Sequence, residues 1–320
     1  MQIRVPQYFT EFKCIADKCT DNCCIGWEID LDSDTLSKYR KCKGYMRERL
    51  NRGIKEGNPA HFILTDTDRC PFLNDMGLCD IISELGEDHL TEICREHPRY
   101  YNVYKDFAEG GLGLCCVEAA GLILGSDKYD YVSIESDSVS PCDLYSAEDL
   151  DNILQTRIYI ISCVKESSSY EEIKNGVLDI ARKCEKNMVG EASHRALTPR
   201  EIYGLYASLE HFDSSFGLTM QSICDSTDED TTEAQINRLL PSFKRLVIYF
   251  IQRYFSGAIS DFEPYCRAQL AQNSAMMIFR VAIQQYGADF SQEQLTEAAK
   301  DFSKSVEYSE ENIETLLSAL

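Results

Sequence analysis

Cysteines crowd the N-terminal part of the sequence, and their thiols are ligands for soft metals as well as nucleophiles. Four of them fall within eleven residues, in the segment CIADKCTDNCCIGW at residues 14–27. Such density has three explanations: a disulfide framework, a metal or iron–sulfur site, or reactive thiols. The cysteines concerned are Cys14, Cys19, Cys23 and Cys24 in this segment, and Cys70, Cys79, Cys94, Cys115 and Cys116 further along the chain.

The N-terminal sequence indicates the cellular compartment of the protein, and the compartment determines which chemistry its cysteines can take part in. MQIRVPQYFTEFK has no apolar stretch typical of a signal peptide. No apolar run in the chain is long enough to cross a bilayer. We therefore expect a cytoplasmic protein with no membrane partner. A reducing compartment disfavours structural disulfides and favours metal ligation or catalysis.

The formal net charge of −21 excludes one class of partner. So acidic a chain repels a phosphate backbone, and we expect no nucleic acid to bind. The charge is compatible with a cationic substrate such as a lysine side chain, although solubility alone also explains it. The length of 320 residues allows one large domain or two ordinary ones.

The spacing of the first four cysteines bears on the kind of metal site. The intervals between them are four residues, three residues and none, whereas structural zinc sites usually use C-x2-C pairs separated by a loop. The adjacent side chains of Cys23 and Cys24 point in different directions, which suits two irons or two separate sites better than one tetrahedral zinc. Iron–sulfur clusters accept thiolates from irregular positions. The spacing therefore favours an iron–sulfur cluster, with zinc as the alternative.

Short elements are predicted around the cysteines. The sequence CPFLNDMGLC at Cys70–Cys79 predicts a β-hairpin with its turn at Asn74–Gly77, which would bring two cysteines close together. Asp34 is expected to cap a basic helix over Thr35–Arg52. A helix of small residues is predicted to end at Gly125. We therefore expect a cysteine-rich module over residues 1–125.

Beyond residue 125 the sequence predicts successive amphipathic helices. Pro241 is expected to interrupt the periodic stretch Thr232–Phe255. The predicted fold class is mainly α: an N-terminal cysteine-rich module with a small β-hairpin, followed over residues 126–320 by an irregular helical bundle. The helix-start signals are Ser146 with Asp149, Ser169 with Glu172, Thr198-Pro199-Arg200-Glu201, and Ser291 with Gln294.

The remaining cysteines are scattered singly through this second region. A single cysteine in a helical region behaves as a small hydrophobic residue, and we predict that role for each of them. They are Cys142, Cys163, Cys184, Cys224 and Cys266.

Taken together, the cysteine blocks resemble the bacterial flagellin lysine-N-methylase family, part of a wider group with a zinc- or iron-chelating cysteine-rich domain. The resemblance covers about residues 8–125. In the helical remainder, Ser305-Val306-Glu307-Tyr308 stands where that family tends to carry Arg-x-Glu-His. The matching blocks are Cys14 to Trp27, Cys70-Pro71-Phe72-Leu73 with Leu78-Cys79, Leu90–Cys94 followed by Pro98-Arg99, and Leu114 to Ala120.

The resemblance implies a protein with a [4Fe–4S] cluster that transfers methyl groups from S-adenosylmethionine to lysine side chains of flagellin or another protein. No G-x-G-x-x-G motif follows a predicted strand, so the sequence does not locate the methyl-donor site. It does not identify the catalytic base either. Cys115 stands where the family usually has serine. The implied ligand candidates are Cys14, Cys19, Cys23, Cys24, Cys70, Cys79, Cys94 and Cys116.

Two other functions stay open at this stage. In one, zinc or a cluster only stabilises the fold of the N-terminal module, and the protein binds a partner without being an enzyme. In the other, exposed cysteines of low pKa make the chain a redox sensor.

Overall fold

The computed structural model of the chain describes residues 2–135, 146–211, 213–226 and 229–320. Most of the described chain is α-helical, which confirms the predicted fold class. The strands are β1 (Gln2–Pro6), β2 (Asp30–Leu31), β3 (Ile54–Lys55), β4 (Ala60–Phe62), β5 (Arg99–Val103), β6 (Ala108–Leu112) and β7 (Tyr131–Glu135). The α-helices are α1 (Ser33–Lys41), α2 (Gly44–Gly53), α3 (Asp80–Leu85), α4 (Glu92–Glu96), α5 (Val117–Gly125), α6 (Ala147–Glu166), α7 (Tyr170–Val189), α8 (Pro199–Ala207), α9 (Ser214–Asp225), α10 (Glu229–Arg238), α11 (Leu240–Tyr254), α12 (Ala258–Asp261), α13 (Pro264–Tyr286), α14 (Gln292–Phe302) and α15 (Glu310–Ala319).

The chain divides into two compact units. We call one the helical unit; it comprises Met1–Phe12, Tyr101–Cys115 and Ala119–Leu320. We call the other the cysteine unit; it comprises Lys13–Tyr100 and Cys116–Glu118. The sequence placed the division between residues 125 and 126 instead, because it treated the N-terminal part of the chain as one continuous module.

A four-stranded sheet explains why early residues belong to the helical unit. Its strand order is β5-β6-β1-β7. Strand β1 runs parallel to β6, with Ile3 opposite Ala108, and antiparallel to β7, with Ile3 opposite Ile134. Such pairings between distant segments leave no mark on local sequence patterns, so the sequence could not show that β1 is part of this sheet.

Most of the helix starts lie where the sequence predicted them. The side chains of Ser146 and Ser169 cap α6 and α7. Capping boxes begin α8 and α14, at Thr198 and Ser291. Pro241 lies at the start of α11, after α10 has ended, so the periodic stretch is interrupted as expected. These starts depend on hydrogen bonds within three or four residues, and short sequence patterns therefore predict them.

Helix α13 is the centre of the helical unit. It packs against α7, α11 and α14, and its apolar residues are buried along most of its length. Of the singly placed cysteines, Cys184 and Cys266 are buried and Cys163 and Cys224 are partly buried. Burial confirms the predicted role for Cys184, whereas the thiol of Cys266 lies 3.9 Å from Nδ1 of His194. Cys142 lies outside the described residues.

The cysteine unit is built on a small antiparallel sheet with the order β2-β4-β3. Its core includes Tyr39 and Phe62, with ring centroids 6.4 Å apart, and Phe72, which meets Phe62 edge-on at 5.0 Å. The predicted helix over residues 35–52 is wrong as one element. It is two helices, α1 and α2, because the chain becomes extended at Cys42 and Gly44 takes a positive φ of 65°. The helix cap is Asp32, two residues before the predicted Asp34.

The predicted hairpin at residues 70–79 forms around one bridge, between Leu73 and Cys79. The backbone N–H of Asn74 donates to the carbonyl of Leu78 at 2.9 Å and closes the turn. Gly77 adopts a φ of 75°, which a glycine accepts without strain. Within the described ranges, no helix is both long and apolar enough to span a membrane.

Candidate metal centre

The eight predicted ligands all lie in the cysteine unit, whereas Cys115 lies in the helical unit. Cys70 is buried, Cys14 and Cys23 are exposed, and the other candidates are partly buried. No disulfide is formed by Cys14, Cys19, Cys24, Cys70, Cys79 or Cys94.

The first two cysteine blocks are joined through their backbones. The N–H of Cys70 donates to the carbonyl of Cys24 at 2.8 Å. Next to this bond, Ile25 and Arg69 form a β-bridge. Gly26 follows with a φ of 83°, a conformation that favours glycine, and its N–H donates to the carbonyl of Asp68 at 2.7 Å. The local chain turn at Gly26 thus lets the two blocks pair.

The position of Cys79 is fixed by the residue that follows it. The carboxylate of Asp80 pairs with Arg49 and accepts the side-chain amide of Asn74 at 2.8 Å. The guanidinium of Arg49 also donates to the carbonyl of Pro71 at 2.9 Å. The basic helix α2 therefore holds the hairpin through Arg49.

The position of Cys94 is fixed by a helix cap and by a carboxylate. Thr91 caps α4 by accepting the N–H of Cys94 at 3.1 Å. Asp32 accepts the N–H of Thr35 at 2.8 Å and the N–H of Glu92 at 2.9 Å. The carboxylate of Asp32 thus binds the first turns of both α1 and α4, and it fixes the position of the helix that carries Cys94.

Neighbouring thiols contribute to the raised pKa values of Cys24, Cys70, Cys79 and Cys94. For Cys24 the largest cause is a hydrogen bond with the Cys23 thiol, followed by burial. Burial raises the pKa of Cys70 to about 12, and Cys94 and Cys79 add to the rise. Burial likewise raises the pKa of Cys94 to about 11, with contributions from Cys79 and Cys23. We call Cys23, Cys24, Cys70, Cys79 and Cys94, the thiols that take part in these shifts, the five-thiol group.

The other candidates extend from this group. Burial is the largest cause that raises the pKa of Cys19, and Cys23 and Cys14 add to it. The Cys19 thiol also donates to the carbonyl of Asp21 at 2.6 Å. Cys14 and Cys19 are therefore neighbours of the five-thiol group through Cys23. Cys116 lies in the same unit and is partly exposed.

Most of the five-thiol group lies on the apolar core of its unit. Cys70 is part of that core, and Cys24, Cys79 and Cys94 pack against it. Apolar surroundings favour the neutral thiol when no cation is present. Cationic iron or zinc would reverse that preference, because a coordinated thiol is deprotonated.

The cysteine thiols can be compared with the ligands that a single metal ion or an iron–sulfur cluster requires. Within the parts of the chain described above, no three His, Cys, Asp or Glu side chains converge so as to hold a single metal ion. A mononuclear zinc site is thus not preformed. The donors fit a thiolate-bound cluster in kind and in number, since the five-thiol group draws cysteines from three blocks and a [4Fe–4S] cluster requires four thiolates.

The helical unit contains a buried carboxylate that sequence reasoning did not single out as functional. Glu307 lies in a π-helical turn at Ser303–Glu307, and such turns are frequent at functional sites. Its Oε2 accepts the hydroxyl of Tyr249 at 2.8 Å and that of Tyr254 at 3.0 Å, and it lies 3.3 Å from the guanidinium of Arg253. These contacts join the turn to α11, so we assign Glu307 to support of the fold.

Comparison with known proteins gives partial matches. The flagellar biosynthetic protein FliU of Salmonella muenchen is 31% identical over 126 residues, which are 37% of this chain and 75% of that protein. Lysine-N-methylases of Salmonella typhimurium and Salmonella choleraesuis are each 30% identical over 126 residues. The match spans 31% of each lysine-N-methylase, so less than a third of those proteins is represented.

Two further comparisons found nothing. No protein-family model matches the sequence, and no solved structure matches it. The match to FliU covers three quarters of that protein at 31% identity. The chain therefore belongs to the flagellin lysine-N-methylase family.

Proposed function

We propose that this protein is a cytoplasmic iron–sulfur protein that transfers methyl groups from S-adenosylmethionine to lysine side chains of flagellin. The observation that carries the proposal is the five-thiol group, in a chain whose relatives are named lysine-N-methylase and flagellar biosynthetic protein. The net charge of −21 supports a cationic substrate such as lysine.

The residues that would hold the cluster are Cys24, Cys70, Cys79 and Cys94. All four lie on the apolar core of the cysteine unit. Four bound thiolates would leave a [4Fe–4S] cluster no open iron position, so binding of the amino and carboxylate groups of the methyl donor at the cluster would require one of the four to stay uncoordinated. Among the remaining candidates, Cys23 directly precedes Cys24 in the chain and is exposed.

The proposal places one requirement on the protein around the substrate. A lysine amine has a pKa of about 10.4 in water and accepts a methyl group only when neutral. A desolvated pocket lowers that pKa, and an acidic group or a tyrosine would take the proton.

The first experiment is metal analysis of protein purified without oxygen. Iron and acid-labile sulfide near about four per chain would support the cluster. About one zinc without sulfide would contradict it. The Cys70→Ser variant should lose iron, whereas Cys42→Ser is the matched control, because Cys42 lies in the same unit and outside the five-thiol group.

The second experiment is methyl transfer from labelled S-adenosylmethionine to purified flagellin. We expect methyl-lysine in flagellin, detected by peptide mass spectrometry, with the unchanged chain and with Cys42→Ser. Cys70→Ser should transfer far less. Iron-loaded protein that leaves flagellin unmethylated would contradict the methylase proposal and leave the cluster proposal standing.

One observation favours a second function. The thiols lie on the apolar core of the cysteine unit. A metal bound there would stabilise that fold without taking part in catalysis, as in small metal-dependent domains. In that case the protein would bind a partner without catalysis. Metal removal would then unfold the cysteine unit, and metal-loaded protein would show no methyl transfer.

A further inference from the structure

A cysteine, a histidine and a glutamate from three segments of the helical unit meet away from the cysteine-rich sequence. Cys266 is the third residue of α13, His194 lies between α7 and α8, and Glu185 lies near the end of α7. The Nδ1 atom of His194 is 3.9 Å from the Sγ atom of Cys266, and its Nε2 pairs with Oε1 of Glu185. A thiol, an imidazole and a carboxylate in this order match a nucleophile with its base and the group that orients the base.

The hydrogen bonds fix which nitrogen of His194 carries the proton. Oε1 of Glu185 accepts from the imidazole, and Oε2 accepts the backbone N–H of Tyr265 at 3.0 Å. An ionised carboxylate only accepts hydrogen bonds, so Nε2 of a neutral His194 must be the donor. Nδ1 is then unprotonated and faces the thiol of Cys266. This is the tautomer that a general base requires.

The imidazole of His194 is also held in place by stacking on one face of its ring. Its ring stacks on that of Tyr265, with centroids 4.4 Å apart and planes inclined by 28°. The guanidinium of Arg182 lies 4.8 Å from the centroid of Tyr265 and donates to its hydroxyl at 3.0 Å. Tyr265 is thus anchored by Arg182 and by Glu185. The orientation of His194 toward Cys266 follows from this packing.

Burial and charge determine the resting state of the thiol. Cys266 is 5% exposed, whereas the side chains of Glu185 and His194 are 4% and 18% exposed. Burial, with the carboxylates of Glu263, Glu185 and Asp261, raises the pKa of Cys266 to about 12. The thiol is therefore neutral near pH 7 and needs a base when it attacks.

Cationic groups near the thiol are engaged elsewhere. Arg267 pairs with Asp261, with its Nε 2.8 Å from Oδ2, and Arg182 contacts Tyr265. Neither supplies a charge that would form a thiolate in advance, so His194 is the group that can take the proton.

We propose that Cys266 is a modification site that forms mixed disulfides with small-molecule disulfides, with His194 as general base and Glu185 as a positioning residue. This proposal does not depend on the methylase function. In the reaction, Sγ of Cys266 attacks one sulfur of the reagent, a new S–S bond forms, and the S–S bond of the reagent breaks. The proton of the thiol passes to Nδ1 of His194 and then to the departing thiolate, which leaves as a thiol.

The test uses the full chain and the neutral reagent 4,4′-dithiodipyridine at pH 7. The rate of modification of each cysteine is read from peptide mass spectrometry. Cys184 is the internal control, because it lies next to Glu185 in α7 and is buried, with its Sγ 3.8 Å from Sδ of Met188. We expect Cys266 to react at least about tenfold faster than Cys184, since a positioned base accelerates reactions by about 10²–10⁴-fold.

Substitution of the base separates catalysis from packing. His194→Gln should lower the rate at Cys266 by about 100-fold if the imidazole is the base. If the imidazole merely covered the thiol, its removal in His194→Gln would instead expose Cys266 and raise the rate. A rate that rises or stays the same overturns the proposal.

Substitution of the carboxylate tests its positioning role. Glu185→Gln keeps an acceptor for the N–H of Tyr265 but no longer fixes the tautomer of His194. We expect the rate at Cys266 to fall with no change at Cys184. If a variant loosens the fold, the rate at Cys184 rises as well, so the ratio of the two rates stays interpretable. An unchanged ratio in Glu185→Gln would overturn the role of Glu185.

Discussion

The backbone N–H of Cys70 donates to the carbonyl of Cys24 at 2.8 Å, and this bond joins the first cysteine block to the second. The bond places two thiols from distant parts of the sequence on the same apolar core. It also accounts for the glycine at position 26, because the chain must turn with a φ of 83° directly after the pairing. The five-thiol group therefore depends on the backbone as well as on the cysteine side chains.

The first prediction concerns metal content. Cys24→Ser and Cys70→Ser should each lower bound iron by at least about tenfold, because even the loss of a group that only supports a metal ligand costs about 10–100-fold in affinity. The measurement is iron per chain after purification without oxygen. Cys42→Ser should retain its iron. Equal losses in all three variants would show that the effect comes from instability rather than from ligation.

The second prediction concerns Asp32 and acid. Burial alone would raise the pKa of Asp32, but the N–H groups of Glu92 and Thr35 outweigh it and lower the pKa. The stabilisation is therefore present above the unfolded pKa of about 3.9 and is lost as the pH falls through the lower folded-state pKa. Asp32→Asn should cost about 1 kcal/mol at pH 7, because the amide NH₂ that replaces Oδ2 cannot accept the N–H of Glu92, and the difference from the unchanged chain should shrink below about pH 4.

Trp27, the single tryptophan of the chain, lies in the cysteine unit and reports on its unfolding. The measurement is urea unfolding followed by the fluorescence of Trp27 at pH 7 and pH 3. Asp34→Asn is the control, because Asp34 is exposed in the same helix. A loss of equal size at both pH values would contradict the role of the Asp32 charge.

The third prediction concerns a buried ion pair in the helical unit. Arg157 meets Glu109 through two parallel contacts of 2.5 and 2.6 Å, and both side chains are at most 5% exposed. Arg157→Ala and Glu109→Ala should each cost about 3–5 kcal/mol, because each leaves a buried charge without its partner. The double variant should cost much less than the sum.

The exposed pair of Lys128 and Glu11 is the matched control, with 59% and 45% of the two side chains exposed. A double-mutant cycle on this pair should give a coupling of about 1 kcal/mol or less. The measurement is the free energy of unfolding in urea by circular dichroism. Similar coupling energies for the buried and the exposed pairs would contradict the prediction.

The fourth prediction concerns the π-helical turn. Glu307→Ala should destabilise the helical unit by about 3–5 kcal/mol, because Arg253 and two tyrosine hydroxyls lose their shared acceptor. Glu307→Gln should cost less, since it keeps the shape and one acceptor. Glu314→Ala, an exposed change in the next helix, should stay within about 0.5 kcal/mol. Thermal unfolding and urea titration measure the free energy of unfolding of all three variants.

The sequence determined the features that depend on neighbouring residues. The capping boxes at Thr198 and Ser291 and the interruption at Pro241 follow from side chains a few positions apart. The hairpin turn before Cys79 is equally local. The cysteine blocks are strings of residue types in order, so the family resemblance was also visible before any fold was known.

The tertiary structure decided which distant residues meet. The pairing of β1 with β6 and β7 moved the start of the chain into the helical unit. The grouping of Cys24, Cys70 and Cys94 required backbone bonds across the cysteine unit. Cys266 had the sequence pattern of an ordinary core residue, and only the packing of α7 against α13 brings Glu185 and His194 to it. Such contacts arise from long-range packing, and the residues along either segment alone do not specify them.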